Sequence, residues 1–178
     1  MGEGVDIDEF VEVLRYENRN LESVLEQEPS LDRTILLLSV AIAVDCKDWT
    51  DPEEAINVCI TSIESVAHHA ESTKDLWKEG LFPLTFSDSG SPEGDEWNDA
   101  FMEGQGLFRD LLRSHIQQYG EEQIEHAYRE TTLCLTYMIA VGCVRSTDRN
   151  GTLQYAVSSI RKAYAFINDH CRLVKVSG

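Results

Sequence analysis

The sequence predicts an all-α protein, a six-helix bundle built from two duplicated three-helix units related by an offset of 97 residues. Three observations predict it. Apolar residues recur at helical spacing along most of the chain. Proline, glycine and short polar caps punctuate those stretches at plausible helix ends. The segment Thr34–Thr50, TILLLSVAIAVDCKDWT, also aligns without a gap on Thr131–Thr147, TTLCLTYMIAVGCVRST. Across that alignment Leu36, Leu38, Ile42, Ala43, Val44, Cys46 and Thr50 recur as Leu133, Leu135, Ile139, Ala140, Val141, Cys143 and Thr147.

The first predicted helix starts at Asp6, with Glu9 three residues later in a capping-box arrangement, and buries Ile7, Phe10, Val11, Leu14, Leu21, Val24 and Leu25. Pro29 breaks it and Ser30 caps the second, which runs from about Leu31 to Lys47 and is apolar nearly all round. Thr50-Asp51-Pro52-Glu53-Glu54 supplies a cap, a first-turn proline and dipole-favoured carboxylates for the third. Its stripe of Ile56, Cys59, Ile60, Ile63, Ala67 and Ala70 is expected to continue to Leu76 and Trp77 before Gly80.

Residues 80–96 read as the linker between halves. Leu81, Phe82, Pro83, Leu84 and Phe86 are expected to fold back on the core or face a partner, and Ser87–Asp95 to be mobile and exposed. A fourth helix spans about Trp97–Tyr119, weakened by Gly104 and Gly106. The fifth covers about Glu121–Val144, and the sixth runs from Thr147-Asp148 to about His170, leaving an extended or frayed tail.

The repeat covers residues 5–79 and 101–170 within a single domain, 1–178. Asp51 falls on Asp148, Ser62 on Ser159 and Ile63 on Ile160, so helices 1–3 correspond to helices 4–6. The units are expected to pack about a pseudo-twofold axis through the second and fifth helices. Arg33 falls on Glu130 and Asp48 on Arg145, which complementary contacts between the halves would explain.

With 32 acidic against 15 basic residues, the formal charge of -17 argues against nucleic acid and against anionic membrane surfaces. The acids crowd the first thirty residues and the bases gather after Arg145, a polarity that would steer a basic partner or draw the chain ends together. Acidity with few lysines would equally suit a salty cytoplasm. The odd set Cys46, Cys59, Cys134, Cys143 and Cys171 lacks metal-type spacing and reads as reduced core thiols, so a cytoplasmic location is expected. Ile35–Val44 is too short for a membrane span, and Asp45 closes it.

Catalytic and metal motifs are weak. Glu64 with His68, and Glu122 with His126 and Glu130, stand one turn apart, but no Glu-x-x-His pair occurs and no histidine recurs between the copies. No metal or cofactor is therefore expected. Asp148–Thr152 and Asp88–Asp99 lack the full calcium-loop pattern. Cys171, between His170 and Arg172, is the thiol with neighbours suited to reactivity.

The expectation is a non-enzymatic acidic protein that works by protein–protein binding, in an inhibitor, immunity-type or adaptor role, with a homodimer among the possible assemblies. It would present Glu9, Glu12, Glu93, Asp95, Glu96 and Asp99 to a basic surface. The alternative is a small-ligand or metal-dependent helical enzyme with a pocket between the halves, using Asp45, Asp48, His68 and His69. Asp45 stands out because its counterpart in the second copy is Gly142.

Overall fold

Residues 6–28 and 30–177 are described by a computed structural model, with side chains up to His170. Pro29 and the Cys171 and Arg172 side chains therefore lie outside the description. The chain is all-helical, and no strand occurs among the described residues. Seven helices follow one another: α1 Ile7–Gln27, α2 Leu31–Cys46, α3 Pro52–Ser72, the single turn α4 Lys74–Trp77, α5 Gly94–Tyr119, α6 Ile124–Arg145 and α7 Arg149–Ser177.

The caps that start these helices are those the sequence offers. Asp6 accepts from the Asp8 and Glu9 amides, Ser30 from Arg33, and Asp51 from Glu54 at 3.2 Å with Pro52 in the first turn. Each fills a donor that the first helical turn leaves unpaired. Asp148 does the same for α7, accepting from the Gly151 amide at 3.0 Å. A Cβ at Gly151 would lie 2.3 Å from the Asp148 carboxylate, so a larger residue there would displace the capping side chain.

The middle helices α2 and α6 touch each other and form the centre. α2 packs most extensively on α7 and α5, whereas α6 packs most on α3 and then comparably on α2, α5 and α1. Each middle helix thus finds its most extensive partner in the other half of the chain. Every α2 residue with a described neighbourhood is buried except Arg33, and Ile35, Leu38, Ile42, Leu135, Met138 and Ile139 are wholly inaccessible. Burial of each such side chain contributes on the order of 2 kcal/mol. Gly104 permits the close approach of α5, because a Cβ there would stand 2.5 Å from the Val40 side chain. Its cost in helix propensity is offset by this close packing.

Several expected boundaries move, each for a local reason. α3 stops at Ser72 instead of continuing to Trp77. The Ser72 and Thr73 hydroxyls bond back to the His69 carbonyl, and the Trp77 indole turns to donate to Ala70 O at 2.9 Å. α5 begins at Gly94, with Asp95 and Glu96 in the first turn and Trp97 buried. Residues Glu121–Gln123 form a 3-10 turn ahead of α6, after Gly120 at φ 91°. α7 runs on through the expected tail, where no proline or glycine interrupts residues 152–177.

The linker folds back along the molecule. Leu81 and Leu84 pack on the core and Phe86 is buried against Tyr155, while Phe82 is 84% exposed. Leu84 pairs with the chain beyond α6: its amide donates to Arg145 O at 2.8 Å and its carbonyl accepts from the Thr147 amide at 2.9 Å. The stretch expected to be mobile is exposed but held. Buried Asp32 accepts from the Ser87 and Ser89 amides, and the Lys162 ammonium donates to Ser91 Oγ and Pro92 O while lying 4.4 Å over the Trp97 ring.

The aligned positions of opposite charge, Arg33 with Glu130 and Asp48 with Arg145, do not contact one another. Arg145 is buried and donates to Asn18 Oδ1, Glu22 Oε1 and Phe82 O, tying α1 and the linker to α6. Arg33 instead pairs with Glu28 and Glu103, and Glu130 faces His126.

Candidate functional site

The polar chemistry of the core gathers where α2 ends. Asp45, one residue before the helix terminus, is wholly buried between α2 and α6. The Trp49 indole N–H donates to its Oδ1 at 3.3 Å, and its Oδ2 lies 2.5 Å from Thr132 Oγ1 on α6. That hydroxyl is also 2.9 Å from the Tyr128 carbonyl. When Asp45 is ionised the Thr132 hydroxyl donates to it; when Asp45 is protonated the acid can donate to Thr132, which then donates to the Tyr128 carbonyl. Burial raises the Asp45 carboxyl to about 6, against the opposing pull of the Thr132 and Trp49 hydrogen bonds.

Next to this acid lies a pair of thiols. Cys46 Sγ on α2 and Cys59 Sγ on α3 are 3.7 Å apart. The hydrogen bond between them raises the Cys46 thiol, aided by burial, and lowers Cys59. Either thiol can donate across this contact, and charge on one sulfur is stabilised by the S–H of the other. Cys134 and Cys143 have no such partner among the described residues, and burial pushes both thiols up, Cys143 to about 12.

Over this cluster the turn between α2 and α3 carries Trp49, 44% exposed, with a cleft on either side. One, of about 400 Å³, is walled by Asp48, Trp49, Thr50, Ile124, Glu125, Tyr128 and Arg129. The other, of about 390 Å³, is walled by Trp49, Thr50, Asp51, Glu54, Ala55, Val58, Cys59 and Thr132. Val58 and Ile124 add exposed apolar surface. Four carboxylates, Asp48, Asp51, Glu54 and Glu125, rim the pair; Arg129 is the base in the lining, and Lys47 pairs with Asp48 at 3.1 Å.

Of the residues proposed for a polar pocket, Asp45 and Asp48 stand here. His68 and His69 do not: they face each other with ring centroids 5.5 Å apart and His69 meets Phe10 of α1. Nine residues of α3 separate His68 from Cys59, about 14 Å along the helix axis. The six proposed partner-binding acids are all exposed. Glu9 and Glu12 are on α1, with Glu12 paired to Arg15 at 2.7 Å, while Glu93 precedes α5 and Asp95, Glu96 and Asp99 occupy its start. They fall in two groups, one on the first two turns of α1 and one at the start of α5. Of the helix-face pairs, His126 approaches Glu130 at 3.7 Å. No group of three or more metal-ligating side chains is found among the described residues, nor any helix long and apolar enough to cross a membrane.

Sequence reasoning missed Trp49 and the pairing of Cys59 with Cys46. The available signal was divergence at the 97-residue offset: Asp45, Trp49 and Cys59 align with Gly142, Ser146 and Ala156. Comparison with protein-family models, curated proteins and solved structures finds no match.

Proposed function

We propose that the protein is a non-enzymatic binding module that takes a protein partner with a basic surface, in an inhibitor, immunity-type or adaptor role. The observation that carries this is the exposed Trp49 between two clefts with a carboxylate rim. Aromatic side chains flanked by pockets are the usual anchors of protein interfaces, because they bury a large apolar area with little side-chain entropy to lose. The rim selects a partner that brings Lys or Arg around an apolar side chain. The acids of α1 and of the start of α5 then act at longer range, steering a basic partner without anchoring it.

We propose further that the bundle consists of two duplicated three-helix units, residues 5–79 with α1–α3 and the single turn α4, and residues 101–170 with most of α5 and with α6 and α7, joined by the linker at 80–96. The gapless alignment, the matched caps Asp51 and Asp148, and the exchange of packing partners between α2 and α6 support it.

The test is affinity capture at low and high salt with mass-spectrometric identification, using the native chain, Trp49→Ala and the double reversal Asp51→Lys/Glu54→Lys. Circular dichroism confirms that the variants remain folded. A partner held by the native chain at low salt, weakened at high salt and lost from both folded variants is the expected outcome. Equal capture by all three proteins, unaffected by salt, refutes the proposal.

A further inference from the structure

We propose that Cys46 and Cys59 are a redox-active dithiol that closes to a disulfide by exchange with a small cationic disulfide entering the cleft beside Trp49. The inference stands on geometry and is independent of the partner-binding reading. The sulfurs are 3.7 Å apart with no other heavy atom needed to bridge them, and closing to the disulfide length of about 2.05 Å requires them to approach by less than 2 Å. Cys46 is the last residue of α2, and the turn that follows is closed by the Asp48 and Trp49 amides donating to Asp45 O and Cys46 O.

The two sulfurs have different surroundings, and these assign their roles. Cys59 lines the cleft of about 390 Å³, whereas Cys46 is wholly inaccessible behind it. An entering disulfide RSSR meets Cys59 first. The Cys59 thiolate attacks one sulfur of RSSR, forming a Cys59–S–S–R mixed disulfide and releasing RS⁻, which takes up a proton. Cys46 then loses its proton, attacks Cys59 Sγ and expels the second RS⁻. Overall two protein thiols and one RSSR give one protein disulfide and two RSH, so RSSR is the oxidant and is reduced. A hydrogen bond from Cys46 stabilises charge on Cys59, the attacking sulfur. Asp51 and Glu54 at the cleft edge favour a cationic disulfide over an anionic one. The second copy lacks the device, since Cys143 there stands with Ala156 in place of a second cysteine.

The test treats the folded full-length chain with cystamine or with oxidised glutathione, quenches with acid, and maps thiols and cross-links by mass spectrometry. Cystamine is expected to give a Cys46–Cys59 cross-link with loss of two thiols, and to do so at least several-fold faster than oxidised glutathione. Cys46→Ala should stop at a mixed disulfide on Cys59, one half-cystamine heavier. Cys59→Ala, which carries the alanine already found at position 156, should leave Cys46 unmodified. Failure of the cross-link to form in the folded native chain overturns the proposal. So does modification of Cys46 in the folded Cys59→Ala variant, or equal rates with the two disulfides.

Discussion

Replacing Asp45 by asparagine isolates the cost of holding a carboxylate at the contact between α2 and α6. Burial raises this carboxyl from 3.8 to about 6, so the folded protein holds its proton more tightly than the unfolded chain does. The resulting stability is fully present below the unfolded value and is lost as pH rises through the folded one. At about 1.4 kcal/mol per pH unit, the ionised Asp45 costs the fold about 3 kcal/mol above pH ~6. Asparagine carries no charge, keeps a carbonyl for the Trp49 indole and offers an N–H to Thr132, as the protonated acid does. Urea denaturation of both proteins by far-ultraviolet circular dichroism, repeated at each pH, gives the difference directly. Groups not coupled to Asp45, such as Glu17, which burial also raises, cancel in that difference. At about pH 4 the two proteins should differ by about 1 kcal/mol or less, the cost of imperfect hydrogen bonds. Asp45→Asn should then gain about 3 kcal/mol on the native chain between about pH 4 and 6 and hold that advantage above. A difference that does not change with pH refutes the reading of Asp45 as a buried acid with a raised affinity for its proton.

Two further perturbations test the packing. Gly104→Ala places a Cβ 2.5 Å from Val40; overpacking of about 1–3 kcal/mol should exceed the helix-propensity gain of about 1 kcal/mol, whereas Gly106→Ala, with open space around it, should stabilise by roughly 0.5–1 kcal/mol. Chemical denaturation of the two variants should therefore move in opposite directions. Arg145→Ala leaves Asn18 Oδ1 and the Phe82 carbonyl without their donor, and should cost about 2–4 kcal/mol, most of it from those acceptors since Glu22 is half exposed. Thermal unfolding measures the loss, and limited proteolysis should show earlier cleavage in residues 80–93.

Much of the fold was legible because helix starts and apolar stripes are local features. Asp6, Ser30 and Asp51 cap the helices their spacing predicts, and the apolar run of α2 is buried on all sides as its composition requires. The misplaced ends have causes that need three dimensions. The Trp77 indole reaches back to Ala70 only after the chain has turned at Thr73, and Lys162 holds Ser91 across 71 positions of sequence. The candidate site was half legible. Asp45 stood out as a charge ending an apolar run. Cys46 read as packing because Cys143 shares its place in the repeat, and only the approach of α3 to the end of α2 sets Cys59 beside it. Trp49 offered less still, an aromatic residue inside a cap sequence whose polar neighbours account for the turn without it.

The corners after α6 and after α2, whose sequences align at an offset of 97 residues, differ in how they are covered, and this bears on the proposed role of the Trp49 clefts. After α6 the chain at 145–147 is covered by the linker: Leu84 exchanges backbone hydrogen bonds with Arg145 and Thr147, and the Phe86 amide donates to Thr147 Oγ1. The corresponding positions after α2 are Asp48, Trp49 and Thr50, and there the surface opens into two clefts. The linker shows what one such corner accepts, an extended segment carrying an apolar and an aromatic side chain two residues apart. If the units are copies, a partner at the open corner has a template within the same molecule. It would lie extended beside Thr50, place an apolar side chain against Trp49, and bring positive charge where Asp48, Asp51, Glu54 and Glu125 form the rim. A short peptide of that pattern, basic at its ends, should therefore quench or shift Trp49 fluorescence where its acidic counterpart does not.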